Sequence, residues 1–99
     1  MSSQIGNLNK TFENRIRLVL MSALVVNDAL DFNSLKDLLG TTDGNLASHA
    51  NALEEEGYIK VKKSFRGRKP LTTYSVTAAG RKKFADHVDA LARLLKISR

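Results

Sequence analysis

At Gly57 the apolar period of this chain changes from three-and-four to two, and that switch dictates most of what the chain can fold into. Before it, apolar residues recur at helical spacing. Phe12, Ile16, Val19, Leu20, Ala23 and Leu24 form one stripe, Leu35, Leu38 and Leu39 a second, and Leu46, Ala50 and Leu53 a third. After it, Ile59, Val61, Lys63 and Phe65 alternate with Tyr58, Lys60, Lys62 and Ser64, and Thr72, Tyr74 and Val76 alternate with Thr73 and Ser75. β-Branched and aromatic residues fit such a pleat. The two runs are separated by Arg66-Gly67-Arg68-Lys69-Pro70, whose Gly and Pro mark a turn. A closing helix follows. The fold class is therefore mainly α with a small β-hairpin.

Helix ends are also legible. The first helix stops near Asn27-Asp28, and Leu30-Asp31-Phe32 is long enough only for a connecting strand. Asn33 is expected to cap the second helix, with Gly40 as the left-handed residue that ends it. Thr42 caps a third helix from Asp43 to about Glu56, where Asp43 favours the positive end of the helix dipole. Gly57 closes that helix, and Thr77 caps the last one, expected over 77–95. Met1 to Thr11 is polar and aperiodic. The expected organisation is a flexible arm over 1–11 and one domain over 12–99.

A chain of 99 residues holds one core. The lack of Cys excludes a disulfide scaffold, a thiolate zinc site and thiol redox chemistry within it. The longest apolar run, Leu18 to Val26, falls well short of the roughly 20 residues a membrane span needs. Glu13 and Asn14 lie just upstream and no small-residue cleavage site follows, so neither a signal peptide nor membrane association is expected. The expected location is the cytoplasm.

Catalytic signals are missing. Glu54, Glu55 and Glu56 point about 100° apart on a helix and cannot converge on one substrate. There is no glycine-rich phosphate loop, activated nucleophile or metal-ligand spacing, so no enzyme, metal or cofactor is expected. His49 lies at the edge of the buried face and reads as a half-buried packing residue. His87, beside Asp86 and Asp89, reads as solvated surface.

Charge points to a partner. Residues 1–59 carry four basic and eight acidic side chains, residues 60–99 twelve basic and two acidic. Between Lys60 and Lys83 there are nine cations and no acid. Such a block costs self-repulsion that an anionic partner relieves. Nucleic acid is the expected partner, ahead of a merely solvated basic face.

Two short helices joined through Gly40-Thr41-Thr42 form a helix-turn-helix, and a hairpin with a basic tip directly afterwards makes it a winged helix-turn-helix. The stretch TDGNLASHANALEEEGYIKVKKSFRGRKPLTTYSVTAAG, residues 42–80, resembles the compact winged-helix transcriptional regulators related to the MarR and ArsR families. Its most specific parts are TDGNL, LEEEGYI and RGRKPLTTYSVTAAG. The resemblance implies a homodimeric, double-stranded-DNA-binding regulator. It also implies that Asp43 to Glu56 is the recognition helix and Arg66 to Lys69 the wing tip.

Helix geometry supports that assignment independently. With Leu46, Ala50 and Leu53 inward, Gly44, Ser48, Asn51 and Glu55 lie opposite, flanked by Asn45 and Ala52. Small and amide side chains approach base edges closely, and Asn pairs bidentately with adenine. Asn45, Ser48 and Asn51 are the expected base contacts, with Thr42 and Gly44 at the helix start, where Gly44 admits a phosphate. Glu55 is expected to face away from DNA. Lys62, Lys63, Arg66, Gly67, Arg68 and Lys69 are the expected wing contacts, on the minor groove or backbone. Phe84, Val88, Leu91 and Leu95, spaced as a coiled-coil seam, are the expected dimer interface.

Two other readings compete. A winged helix used for protein interaction conflicts with the Lys-rich block, since interface cores deplete Lys. A single-strand or RNA binder would stack bases on Phe65, Tyr58 and Tyr74, although strand alternation more simply turns these toward the core. A small-molecule effector held between subunits stays open.

Overall fold

A computed structural model of the chain describes residues 6–97. A 3-10 turn, Lys10–Glu13, precedes α1 (Arg15–Val25), β1 (Leu30–Asp31), α2 (Phe32–Leu39), α3 (Asp43–Glu55), β2 (Ile59–Arg66), β3 (Lys69–Val76) and α4 (Ala78–Ile97). The strands form one antiparallel sheet in the order β1-β3-β2, so the expected hairpin gains a two-residue edge strand through Leu30↔Tyr74 and Asp31↔Thr73. This is the winged helix-turn-helix architecture.

The caps act as the sequence implies at most ends. Thr42 Oγ1 accepts from Asn45 N–H at 3.1 Å, and Asn14, a cap the sequence reading does not name, accepts from the Ile16 and Arg17 amides at the start of α1. Gly40, at φ 60°, ends α2. Thr77 Oγ1 accepts from Gly80 N–H at 2.9 Å. The second helix starts earlier than expected. Its N-cap is Asp31, not Asn33, because β1 pairs only to Asp31 and the backbone turns helical at once. Ser34 Oγ donates to the Asp31 carboxylate, which holds that carboxyl below its ordinary range. Leu38, expected in the buried stripe of α2, is exposed, while Leu35 is fully buried.

Phe12 is the hub of the core. Its ring meets Phe84 edge-on at 5.3 Å, Tyr58 at 5.3 Å and His87 at 5.5 Å, so it joins the 3-10 turn to the strand start and to α4. Leu20, Met21 and Leu24 from α1 meet Leu35, Leu46 and Leu53 in the same fully buried cluster. The expected arm divides: residues 1–5 lie outside the described residues, whereas Asn9 is tied down. Its N–H donates to His87 Nδ1 at 2.9 Å, and its side-chain amide donates to the Tyr58 hydroxyl at 3.2 Å.

Two close fits set how α4 leaves the hairpin. The Thr77 N–H donates to the Tyr58 carbonyl at 3.0 Å, and Thr77 Oγ1 donates to the Gly57 carbonyl at 2.7 Å. Gly80 then packs directly over Tyr58, where a Cβ would run into the carbonyl oxygen and lie 2.8 Å from its carbon. Only glycine lets α4 approach that closely.

Candidate nucleic-acid interface

The second helix of the helix-turn-helix, α3, buries Leu46, Ala50 and Leu53 and exposes Gly44, Asn45, Ser48 and Asn51 together. Its angle to α2 is braced across the turn by Lys36 Nζ to Asp43 Oδ1 at 2.7 Å, and by Asn45 Nδ2 donating to Thr41 Oγ1 at 3.0 Å. The ion pair is exposed and contributes little stability; it raises the Lys36 pKa through the hydrogen bond and charge of Asp43. Asn45 keeps its side-chain carbonyl free, whereas Ser48 and Asn51 make no side-chain hydrogen bond among the described residues. From inside, Arg17 Nε donates to His49 Nδ1 at 3.0 Å and ties α3 to α1. Partial burial, and then the Arg17 charge, lower the His49 pKa and keep the ring a neutral acceptor.

The hairpin presents two unlike faces. Side chains alternate along a strand, and the register sets Ile59, Val61, Lys63 and Phe65 opposite Val76, Tyr74, Thr72 and Pro70 on one face. That face looks toward α3. Between them runs a groove of about 570 Å³ lined by Phe32, Ala47, Asn51, Glu54, Val61, Lys63, Thr72 and Tyr74. Lys60, Lys62 and Arg66 lie on the other face with Lys69, Leu71 and Thr73. Gly67 and Arg68 form the two-residue turn, and only Gly67 has positive φ (65°), the arrangement a II′ hairpin turn requires.

The expected wing residues are therefore divided: Lys63 stands in the groove, Arg68 at the tip, and Lys62, Arg66 and Lys69 behind. None of these five forms an ion pair among the described residues, and the wing is exposed around them. Two cations of α4 are different. Arg81 donates to the Val25 carbonyl at 3.1 Å and caps the C-terminal end of α1, and Lys82 pairs with Asp86 at 3.5 Å.

Two side chains, Phe65 and His87, sit elsewhere than sequence alone implies. Phe65, expected to turn toward the core, is 72% exposed, because the hairpin outruns the helices beneath it and no core lies under its outer half. Tyr74 and Tyr58 are held inside, with Tyr74 buried and Tyr58 packed on Phe12. His87 is not solvated surface but 2% exposed, its Nδ1 engaged by Asn9; burial lowers its pKa, opposed by the Glu13 charge.

The stripe expected for dimerisation splits as well. Phe84 lies in the core with Gly80, His87 and Ala90, and its role is to seat α4 on Phe12. Val88, Leu91 and Leu95 form a separate row, 44%, 38% and 70% exposed. The groove-lining residues Phe32, Ala47, Glu54, Val61 and Thr72 were not among the expected contacts, and Tyr74 was one only in the single-strand reading. The i, i+4, i+7 row of 47, 51 and 54, matched to strand parity, is the signal that finds them.

Residues 16–95 match the family described as winged helix DNA-binding domain. The chain belongs to that family. Among relatives of this winged helix DNA-binding protein is the uncharacterized protein MJ0432 of Methanocaldococcus jannaschii, 33% identical over 87 residues that cover 88% of this chain and 95% of that one. A transcriptional regulator homologue from Pyrococcus horikoshii superposes with a TM-score of 0.88 at 26% identity, covering 97% of this chain and 96% of that one. The putative transcriptional regulator ytfH from Salmonella typhimurium gives 0.72 at 26% identity over 89% of this chain and 77% of its own. The winged helix domain thus belongs with DNA-binding transcriptional regulators. Among the described residues, no helix is long and apolar enough to cross a membrane, and no cluster of three or more His, Cys, Asp or Glu side chains could hold a metal ion.

Proposed function

We propose that this protein is a sequence-specific regulator that grips double-stranded DNA as a homodimer, with α3 in the major groove and the hairpin on the adjoining minor groove or backbone. The observation that carries the reading is the joint exposure of Ser48 and Asn51 on α3, beside a wing whose cations form no ion pair among the described residues. Amide and hydroxyl groups left unbonded by the protein are free for base edges. Unpaired Lys and Arg are free for phosphates.

The second copy is argued from α4. Val88, Leu91 and Leu95 form an apolar row on a helix already seated by Phe84, and Val26 at the end of α1 is 79% exposed. Pairing such rows between copies removes them from water. It also sets two recognition helices to read half-sites about one DNA turn, roughly 34 Å, apart.

The experiment is a salt titration of binding to duplex DNA. Neutralising about four to six phosphates per subunit gives a log–log slope near −0.9 per contact, steep between low and physiological salt. A flat response would contradict the reading.

A further inference from the structure

Phe65 is a large apolar side chain that the protein leaves in water at the most basic part of its surface. It is 72% exposed, with Lys62 and Lys63 before it and Arg66, Arg68 and Lys69 after it. Its cross-strand partner is Pro70. The pair stands on the hairpin face that carries Lys63 and Thr72 and looks toward α3, while Arg66 and Lys69 stand on the face behind. The hairpin therefore points an apolar edge, not only its cations, to the same side as the recognition helix.

An occupant of that side has to match both charge and shape. The cation block without an acid selects a polyanion. An aromatic ring backed by a rigid proline is the kind of side chain that enters between base steps and unstacks them, whereas cations alone follow the phosphates. The II′ turn at Gly67-Arg68 keeps the tip only two residues wide, which lets the edge enter a narrow groove.

We propose that Phe65, braced by Pro70, is a wedge that stacks against or between base pairs of duplex DNA in the minor groove and bends the duplex there. The inference rests on the wing reading above and deepens it. The wedge would favour flexible pyrimidine–purine steps such as TA, which cost least to unstack. It would thus contribute sequence preference at positions α3 never touches.

The test compares Phe65→Ala, Phe65→Leu and Arg68→Ala on a TA-rich duplex several helical turns long carrying 2-aminopurine, with circular dichroism confirming that each variant folds. The native protein is expected to raise 2-aminopurine fluorescence by unstacking. Phe65→Ala should abolish that rise and weaken binding about ten-fold, the range of one lost base–aromatic stack, while leaving the salt slope intact because no phosphate contact is lost. Phe65→Leu, still an apolar wedge, should retain part of the fluorescence rise. Arg68→Ala should instead reduce the salt slope by about one.

The wedge is overturned, and the wing reading kept, if Phe65→Ala binds like the native protein while Arg68→Ala loses slope. It is also overturned if Phe65→Ala weakens binding to single strands but not to duplex. If neither variant changes affinity, slope or fluorescence, the wing reading falls together with the wedge.

Discussion

Gly80→Ala adds one methyl group where α4 crosses the start of β2, and the cost can be worked from the surrounding atoms. The new Cβ would lie on the Tyr58 carbonyl oxygen, 2.8 Å from its carbon and 2.9 Å from its Cα. All three are backbone atoms, so relief requires α4 or the strand start to move. Such overpacking costs about 1–3 kcal/mol. The same carbonyl accepts the Thr77 N–H at 3.0 Å, and Gly80 N–H is bound to Thr77 Oγ1 at 2.9 Å. Displacement therefore weakens the cap, at about 1 kcal/mol. The better helix propensity of Ala returns about 1 kcal/mol. The net is a destabilisation of about 2 kcal/mol, which for a domain of this size lowers Tm by about 10 °C. Thermal unfolding followed by circular dichroism measures it, with Gly44→Ala as control. Gly44 has open space around a would-be Cβ and ordinary backbone angles, so that variant should be neutral or slightly stabilised. A Gly80→Ala protein melting within about 2 °C of the native one would refute the argument that this contact sets the approach of α4.

Acid should loosen the protein through its two histidines, whose folded pKa values are lowered by burial. A lowered pKa means the unfolded chain binds the proton more readily, so this contribution is complete above about pH 6.5 and is lost as pH falls below it. Urea midpoints against pH should show that loss, and His87→Phe should flatten part of it while costing about 1 kcal/mol for the Asn9 hydrogen bond. Leu91→Asp should yield monomers of native helical content that bind DNA at least ten-fold more weakly; sedimentation checks it, and a native protein already monomeric at tens of micromolar would remove its basis.

The sequence yields whatever is decided within about one helical turn or one strand. Thr42, Gly40 and Thr77 act on their own neighbours, and the period change at Gly57 separates helices from hairpin. It fails where a residue's environment is set by a distant segment. His87 is buried because Asn9 and Phe12, from the other end of the chain, close over it. Phe84 fits the seam spacing of Val88 and Leu91 equally well, and only its contact with Phe12 assigns it to the core. Phe65 keeps the inward parity of Ile59, but burial also depends on how far the helices extend beneath a strand, which alternation does not encode. Of the candidate interface, the exposure of one face of α3 and the cations of the hairpin are legible. Which hairpin residues share a face with α3 is not, until the turn register pairs Phe65 with Pro70.

The most direct test of the account is selection of bound sequences from a random duplex pool by the native protein, Asn51→Ala and Arg68→Ala. If α3 reads bases, Asn51→Ala should change the preferred base at particular positions, at about 1–3 kcal/mol. Arg68→Ala should weaken binding broadly and keep the positions read by α3. An Asn51→Ala protein that selects the native sequence with native affinity would contradict the placement of α3 in the major groove.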